Sequence, residues 1–448
     1  MATPEAGTVC CVDVGSTFTK AALVDLADGA LLGTATHPTT STTDVLVGVD
    51  ACRAQLGAGD DVPVLACSSA GGGLRLAVVG YERVVTAEAG YRVGLSAGAR
   101  VVHVSAGELD RAGVEALLAD RPDVVLLVGG TDGGNSEVLL HNARKLAASR
   151  LKVPVVVAGN VDARDEVVAV LHGRNKKVIA CANVLPEIGV LEPRPAREAI
   201  REVFIRHVIG GKGLSRGPRF AAMVRAATPD AVLAGVELLA DGADDVPGVG
   251  DVLVVDVGGA TTDVYSVVAP EEEAELHAEV SGTMWRARTV EGDLGMRWNA
   301  PGVVEAAAGE RLLTDAITEK SLREAADALH ADVSYVPSEG PDGDDARAVD
   351  ARLAELAVTV ALRRHARPGG RDLRRVRLVV GSGGVLRHGS DTLRAQVLAP
   401  ATSDRAGGWK LPEHADVVVD TRYVLAAAGL LAAEHPAAAA RLVRSLLP

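Results

Sequence analysis

Two distant stretches of the chain repeat one pattern of apolar and polar positions. Leu253, Val254 and Val255 lead through Asp256 and Val257 into Gly258, Gly259, Ala260, Thr261, Thr262 and Asp263, after which Val264, Tyr265, Val267 and Val268 resume the apolar run. Near the N-terminus, Val9, Cys10, Cys11 and Val12 lead through Asp13 and Val14 into Gly15, Ser16 and Thr17. Beyond Phe18, Thr19 and Lys20 the run Ala21, Ala22, Leu23 and Val24 follows. Both stretches read as strand, tight hairpin, strand. Their separation by roughly half the chain predicts a duplicated body of two related halves. A third stretch, Leu378, Val379 and Val380, runs straight into Gly381, Ser382, Gly383 and Gly384.

The pattern between these landmarks completes a domain plan. Residues 30–36 read as a third strand and 42–56 as a helix capped by Ser41 or Thr42. Residues 62–67 read as a short buried strand ending in Ser68, Ser69, Ala70 and Gly71–Gly73. Three strands, helix, strand is the opening of a ribonuclease-H-like domain. From residue 84 to 182 apolar runs at 101–104, 124–128, 153–158 and 177–180 alternate with helical stretches at 108–119, 136–149 and 163–171. That is a doubly wound α/β layout, read as an inserted subdomain. Ligands bind outside the carboxyl ends of such strands. The loop 129–135, with Gly129, Gly130, Asp132, Gly133 and Gly134, is therefore a candidate second ligand or partner site. It lacks the G-x-G-x-x-G spacing of a dinucleotide loop.

Further helices are expected at 193–209, with Arg206 and His207 on a solvated or partner face, and at 228–239, 302–313, 321–329 and 349–365. The small-residue helix 421–433 carries Gly429, which costs stability unless another helix crosses closely. Residues 210–218 and 336–347 read as loops, and 271–279 as a solvated acidic edge. The expected division is 1–83 and 186–245 for the first ribonuclease-H-like domain, 84–185 for the insertion, 250–420 for the second such domain, and 421–448 for a helix returning to the first.

The chemistry concentrates at the three landmarks. Glycines at the hairpin turns let the backbone bend closely, so that successive N–H groups form an anion-binding nest. Gly15, Ser16 and Thr17 on one side and Gly258, Gly259, Thr261 and Thr262 on the other are the candidate phosphate-binding residues. Lys20 is a candidate phosphate partner if its side chain points inward. Asp13 and Asp256, at strand ends, are candidates to hold a Mg²⁺ through its waters. Asp256 or Asp263 can orient an attacking water. The small residues Gly381, Ser382, Gly383 and Gly384 allow a flat ring to lie against backbone. The stretch from Glu291 to Trp298 combines Asp293, two glycines and Arg297, and Arg297 reads as an ordinary salt bridge in preference to a phosphate contact. Arg363, Arg364 and His365 suit a helix C-terminus, and His365 is not read as a catalytic base.

Composition narrows the function classes. Lys and Arg number 46 against 59 Asp and Glu, a net charge of −13 with no basic patch, which argues against nucleic acid as a partner. The cysteines Cys10, Cys11, Cys52, Cys67 and Cys181 show no C-x-x-C spacing, so they read as small buried hydrophobes of a reducing compartment. Without a leader pattern or a membrane-length apolar run, a cytoplasmic location is expected.

In order and spacing, the three landmarks resemble the phosphate-1, phosphate-2 and adenosine motifs of the actin, sugar kinase and heat-shock chaperone ATPase superfamily. Across nearly its whole length the chain is similar to the glutamate mutase (methylaspartate mutase) accessory proteins, called MutL or GlmL. The resemblance rests on the stretches 13–20, 67–74 (C-S-S-A-G-G-G-L), 127–135 (L-V-G-G-T-D-G-G-N), 256–263, 291–296 and 381–386. It implies two actin-like ATPase domains with a nucleotide cleft between them. It also implies ATP and Mg²⁺ as ligands, and service to an adenosylcobalamin-dependent mutase through ATP-driven release of damaged cobalamin. Two other readings stay open: a small-metabolite kinase on the same fold, with Asp132 as a substitute base, and a scaffold that binds nucleotide without hydrolysing it.

Overall fold

The computed structural model describes residues 7–70, 74–81, 86–96, 99–205, 213–269, 286–338, 343–367, 371–405 and 407–447. The chain divides into two compact units. One comprises 1–71, 214–269 and 288–448, and the other 72–213 with 270–287.

The first unit contains two five-stranded sheets of matching order. In one, Thr8–Val14 pairs antiparallel with Phe18–Asp25, which pairs antiparallel with Leu31–Pro38. On its other side Thr8–Val14 runs parallel to Val64–Ser68, and that strand to Val224–Ala227. In the other, Val252–Val257 pairs antiparallel with Thr262–Val267, and parallel to Leu378–Ser382, which is parallel to Asp416–Val419. Arg286–Glu291 lies beyond the hairpin. Both are ribonuclease-H-like sheets, so the expected fold class stands: α/β, with two such domains and an inserted α/β unit. The first strand of each hairpin is enclosed by neighbours on both edges, which is why its residues are apolar almost without alternation.

Between the sheets lies a core shared by Val9, Cys11, Val254 and Tyr265 with the helices Thr228–Asp241 and Val424–Leu431. These helices cross at small residues: Gly235 lies on the carbonyl of Leu425, and Gly429 on that of Ala231. The outer face of the second sheet is covered by Ala300–Gly309, Ala316–Ala331 and Asp344–Ala366. The last of these starts inside the stretch read as loop to 347, because Asp344 and Asp345 suit a helix N-terminus. The first-domain helix is Val45–Gln55. Its cap is Asp44, whose carboxylate accepts from the Leu46 N–H, in place of Ser41 or Thr42.

The second unit is a parallel sheet in the order Arg100–Ala106, Arg75–Gly80, Val124–Leu127, Val155–Val157, Val178–Ala180. This is the two-one-three-four-five order of doubly wound folds. The insertion expected over 84–185 is corrected at both ends. Arg75–Gly80 hydrogen-bonds on both edges within this sheet, and the helix Arg194–Val203 packs on Val155–Val157. Arg206, His207, the acidic segment 271–279, and Gly71–Gly73 and 210–212 of the two glycine-rich loops lie outside the described residues. Among the described residues no helix is long and apolar enough to cross a membrane.

Candidate functional site

The two hairpins are built alike. In the first, Asp13 stands opposite Lys20, and the Gly15 N–H donates to the Phe18 carbonyl at 3.1 Å. In the second, Asp256 stands opposite Asp263, and the Gly258 N–H donates to the Thr261 carbonyl at 2.9 Å. Both turns exclude a side chain at the glycine. A Cβ would stand 2.7 Å from the Phe18 oxygen at Gly15 and 2.9 Å from the Thr261 oxygen at Gly258. By register and distance from the turn glycine, Asp256 is the counterpart of Asp13, and Asp263 the counterpart of Lys20. The turns also meet: a Cβ on Gly259 would stand 2.7 Å from the Thr17 hydroxyl oxygen. That hydroxyl is buried and has no hydrogen-bond partner among the described residues.

Carboxylates and cations gather beside this junction. The Lys20 ammonium lies 3.4 Å from one oxygen of Asp13 and 4.4 Å from the Tyr423 ring centroid. Lys20 therefore points inward. Burial works against its charge, but Asp13, Tyr423 and Asp256 outweigh it and hold the ammonium above its ordinary pKa. The other Asp13 oxygen accepts from the Thr228 hydroxyl at 2.5 Å and from the Cys67 thiol at 3.6 Å. Burial, reinforced by Asp13, pushes that thiol far up, so Cys67 is a donor and not a nucleophile. Asp256 stands in register with Ser382 on the neighbouring parallel strand. Burial, with Asp13 and Asp420 nearby, raises its pKa, and Lys20 partly restrains the rise.

Asp263 is more enclosed than Asp256. It is 5% exposed and accepts from the Tyr265 hydroxyl at 3.2 Å, while its other oxygen is buried without a partner among the described residues. Burial pushes it up to about 7, against the pull of Arg288. This enclosure favours Asp256 over Asp263 for contact with water. Thr262 departs from expectation: its hydroxyl donates to the Leu294 carbonyl at 2.6 Å, inside the fold, because its place in the strand turns it towards the core.

The glycine-rich end of Leu378–Ser382 closes the group. Gly381 packs on Leu398 and Leu386, and Gly383, at φ +106°, lies against the carbonyl of Val257. Gly384 is open, with nothing within 4 Å of where a Cβ would stand. The 291–298 segment supports the second turn from behind. The N–H groups of Met296, Arg297 and Trp298 donate to the carbonyls of Gly258 and Gly259. Gly295 sits on Ala260 too closely for any side chain. Arg297 forms the expected salt bridge, with both terminal nitrogens on Asp350 at 3.1 and 2.8 Å. His365 is buried between the Ser266 and Thr289 hydroxyls, and burial holds it neutral, well below the usual histidine range.

Ser68 bonds the Val14 carbonyl, a structural role. In the second unit, the 129–135 loop is tied to the neighbouring strand-end segments. Asp132 accepts from Asn183 and the Val161 N–H, the Gly133 N–H donates to Asp162, and the Gly134 N–H to Thr131. The Asp132 N–H donates to the Pro186 carbonyl, and the Asp132 carboxylate, already accepting two hydrogen bonds, is not a poised base.

Sequence reasoning missed four contributors: Thr228, Asp420, Tyr423 and Arg387. Asp420 accepts from the N–H groups of Arg422, Val424 and Leu425 at the start of Val424–Leu431. A signal existed in Thr228-Pro229, since a hydroxyl ahead of proline marks a helix start. Tyr423 and Arg387 have no motif of their own. Among the described residues, no group of three or more His, Cys, Asp or Glu could hold a metal ion by itself. Asp13 and Asp256, with Lys20 and Asp420 about them, fit a hydrated Mg²⁺ that completes its shell with water and phosphate oxygens.

The sequence model of a family described as MutL protein matches residues 9–447. A relative from Clostridium tetanomorphum, Protein MutL, is 36% identical over 461 residues, covering 97% of this chain and 98% of its own. Among solved structures, nucleotide-free acetone carboxylase is 16% identical with a TM-score of 0.39, over 96% of this chain and 70% of that one. The activator of 2-hydroxyisocaproyl-CoA dehydratase from Clostridium difficile, with bound ADPNP, is 10% identical with a TM-score of 0.28, over 98% of this chain and 96% of that one.

Proposed function

The chain belongs to the MutL protein family, and from that premise and the twin hairpins we propose a Mg²⁺-dependent ATPase. Its role is that of accessory or reactivation factor for an adenosylcobalamin-dependent mutase of the glutamate (methylaspartate) type. The observation that carries the reading is the approach of Gly259 to Thr17, which brings two equivalent glycine turns together beside Lys20, Asp13 and Asp256.

Phosphoryl transfer asks a protein mainly for positioning and charge neutralisation. The N–H groups and hydroxyls of Ser16, Thr17, Gly259 and Thr261 hold phosphate oxygens, and Lys20 adds a fixed positive charge. Gly381, Ser382, Gly383 and Gly384 bound the adenosine side. Asp13 and Asp256 would hold Mg²⁺ through its waters, and the ion when bound supplies neutralisation of the phosphate tail. Asp256 orients the attacking water. Loss of the terminal phosphate removes the bridge between the turns, and the helices Thr228–Asp241 and Val424–Leu431 convert that loss into movement.

The test is phosphate release from Mg²⁺-ATP by the full chain, with and without purified glutamate mutase. Release that rises with mutase and disappears in Asp256→Ala supports the proposal. Binding without release identifies a scaffold, ADP formed without free phosphate and only with an added metabolite identifies a kinase, and no binding at all ends the reading.

A further inference from the structure

The Tyr423 ring holds two cations against its π-system. The Lys20 ammonium lies 4.4 Å from its centroid and the Arg387 guanidinium carbon 4.2 Å. Lys20 belongs to the first sheet. Arg387 ends the helical turn Gly384–Arg387 that follows the adenosine-type loop. Arg387 also reaches the first sheet, where its Nη2 donates to the Thr34 hydroxyl at 3.5 Å. Its Nη1 is buried and has no hydrogen-bond partner among the described residues. Tyr423 is itself fixed: it holds a left-handed conformation (φ 56°) at the head of Val424–Leu431, between Asp420 and the helix that Asp420 caps.

Two like charges on one small group attract nothing between themselves. The ring's negative faces and Asp13 account for Lys20, but the ring and one long hydroxyl contact leave Arg387 short of a partner. An anion beside the junction would supply it.

We propose that Tyr423 is a positioning residue that aims Lys20 and Arg387 at one polyphosphate. Arg387 is then a second phosphate-binding cation that the glycine motifs do not announce. The inference rests on the nucleotide reading of the site. It adds a route by which occupancy reaches the helix Val424–Leu431, since drawing either cation off the ring releases the residue that heads that helix.

The experiment measures two things on the full chain in wild type, Tyr423→Phe, Tyr423→Ala and Arg387→Gln. One is the rate of Lys20 acylation followed by mass spectrometry without nucleotide. The other is the affinity for a non-hydrolysable ATP analogue with Mg²⁺. Tyr423→Ala should raise Lys20 acylation several-fold and weaken analogue binding about tenfold, with Tyr423→Phe close to wild type in both. Arg387→Gln should weaken binding similarly while leaving acylation near wild type, and it guards against a folding defect at Tyr423. Equal acylation in all four proteins, or a Tyr423→Phe as impaired as Tyr423→Ala, overturns the role of the ring. Unchanged binding in Arg387→Gln overturns the role of the arginine. Should wild type bind no analogue while the acylation pattern holds, the nucleotide reading fails and the placement of Lys20 by Tyr423 survives.

Discussion

Gly429 lies against the main-chain carbonyl of Ala231, with no room for a Cβ between the helices Val424–Leu431 and Thr228–Asp241. The reciprocal contact of Gly235 with Leu425 seals the same crossing. Backbone stands on both sides, so a larger residue cannot be absorbed by a rotamer change and the helices must part. Gly429→Val should cost about 3 kcal/mol of unfolding free energy, read as a lower urea midpoint. A midpoint within error of wild type would show that the two helices do not touch as described.

The contact between Gly259 and Thr17 is of a different kind, because there the obstacle is the end of a side chain. Gly259→Ala displaces the Thr17 hydroxyl and the fold should tolerate it. Gly259→Val presses the turns apart, so the loss should appear in ligand affinity, with an ATP analogue binding about tenfold more weakly and Tm nearly unchanged. A large fall in Tm with affinity intact would make this junction a packing contact only.

Asp263 links stability to pH. Its carboxyl is raised by burial from 3.8 to about 7, so in that window the folded chain keeps a proton that the unfolded chain has released. Its contribution is fully present below pH 3.8 and is lost as pH rises through about 7, in total on the order of 4 kcal/mol. Asp263→Asn cannot ionise. Wild type should therefore lose stability relative to the variant between pH 5 and 8, measured by urea unfolding at each pH. Parallel curves would mean that Asp263 titrates at an ordinary value.

The hairpins were legible in the sequence because glycine, hydroxyl and aspartate positions are tied to turn geometry, and a repeat of the pattern doubles the signal. That Arg297 forms a salt bridge was legible, but its partner Asp350 was not, because it stands on a distant helix while the acids of the local segment pair with Arg364. Short edge strands were not legible either. Val224–Ala227 and Asp416–Val419 have four residues each, too few for a period to show, and tertiary pairing alone makes them strands. Arg75–Gly80 follows a glycine loop that masks its start. The direction of Thr262 and the pairing of Tyr423 with Lys20 from the other end of the chain depend on how distant segments meet, which no local spacing encodes.

His365 sets the opposite slope to Asp263. Enclosed between Ser266 and Thr289, and further opposed by Arg371, its ring stays neutral well below the ordinary value of 6.5. The unfolded chain takes up a proton there that the folded chain refuses, so the contribution is present above pH 6.5 and is lost as pH falls below it. His365→Gln keeps hydrogen-bonding capacity for both hydroxyls and carries no charge. Between pH 7 and 5 wild type should lose up to about 1.4 kcal/mol per pH unit relative to this variant. Urea midpoints of the two proteins across that range decide it: curves that stay parallel would place His365 in contact with solvent.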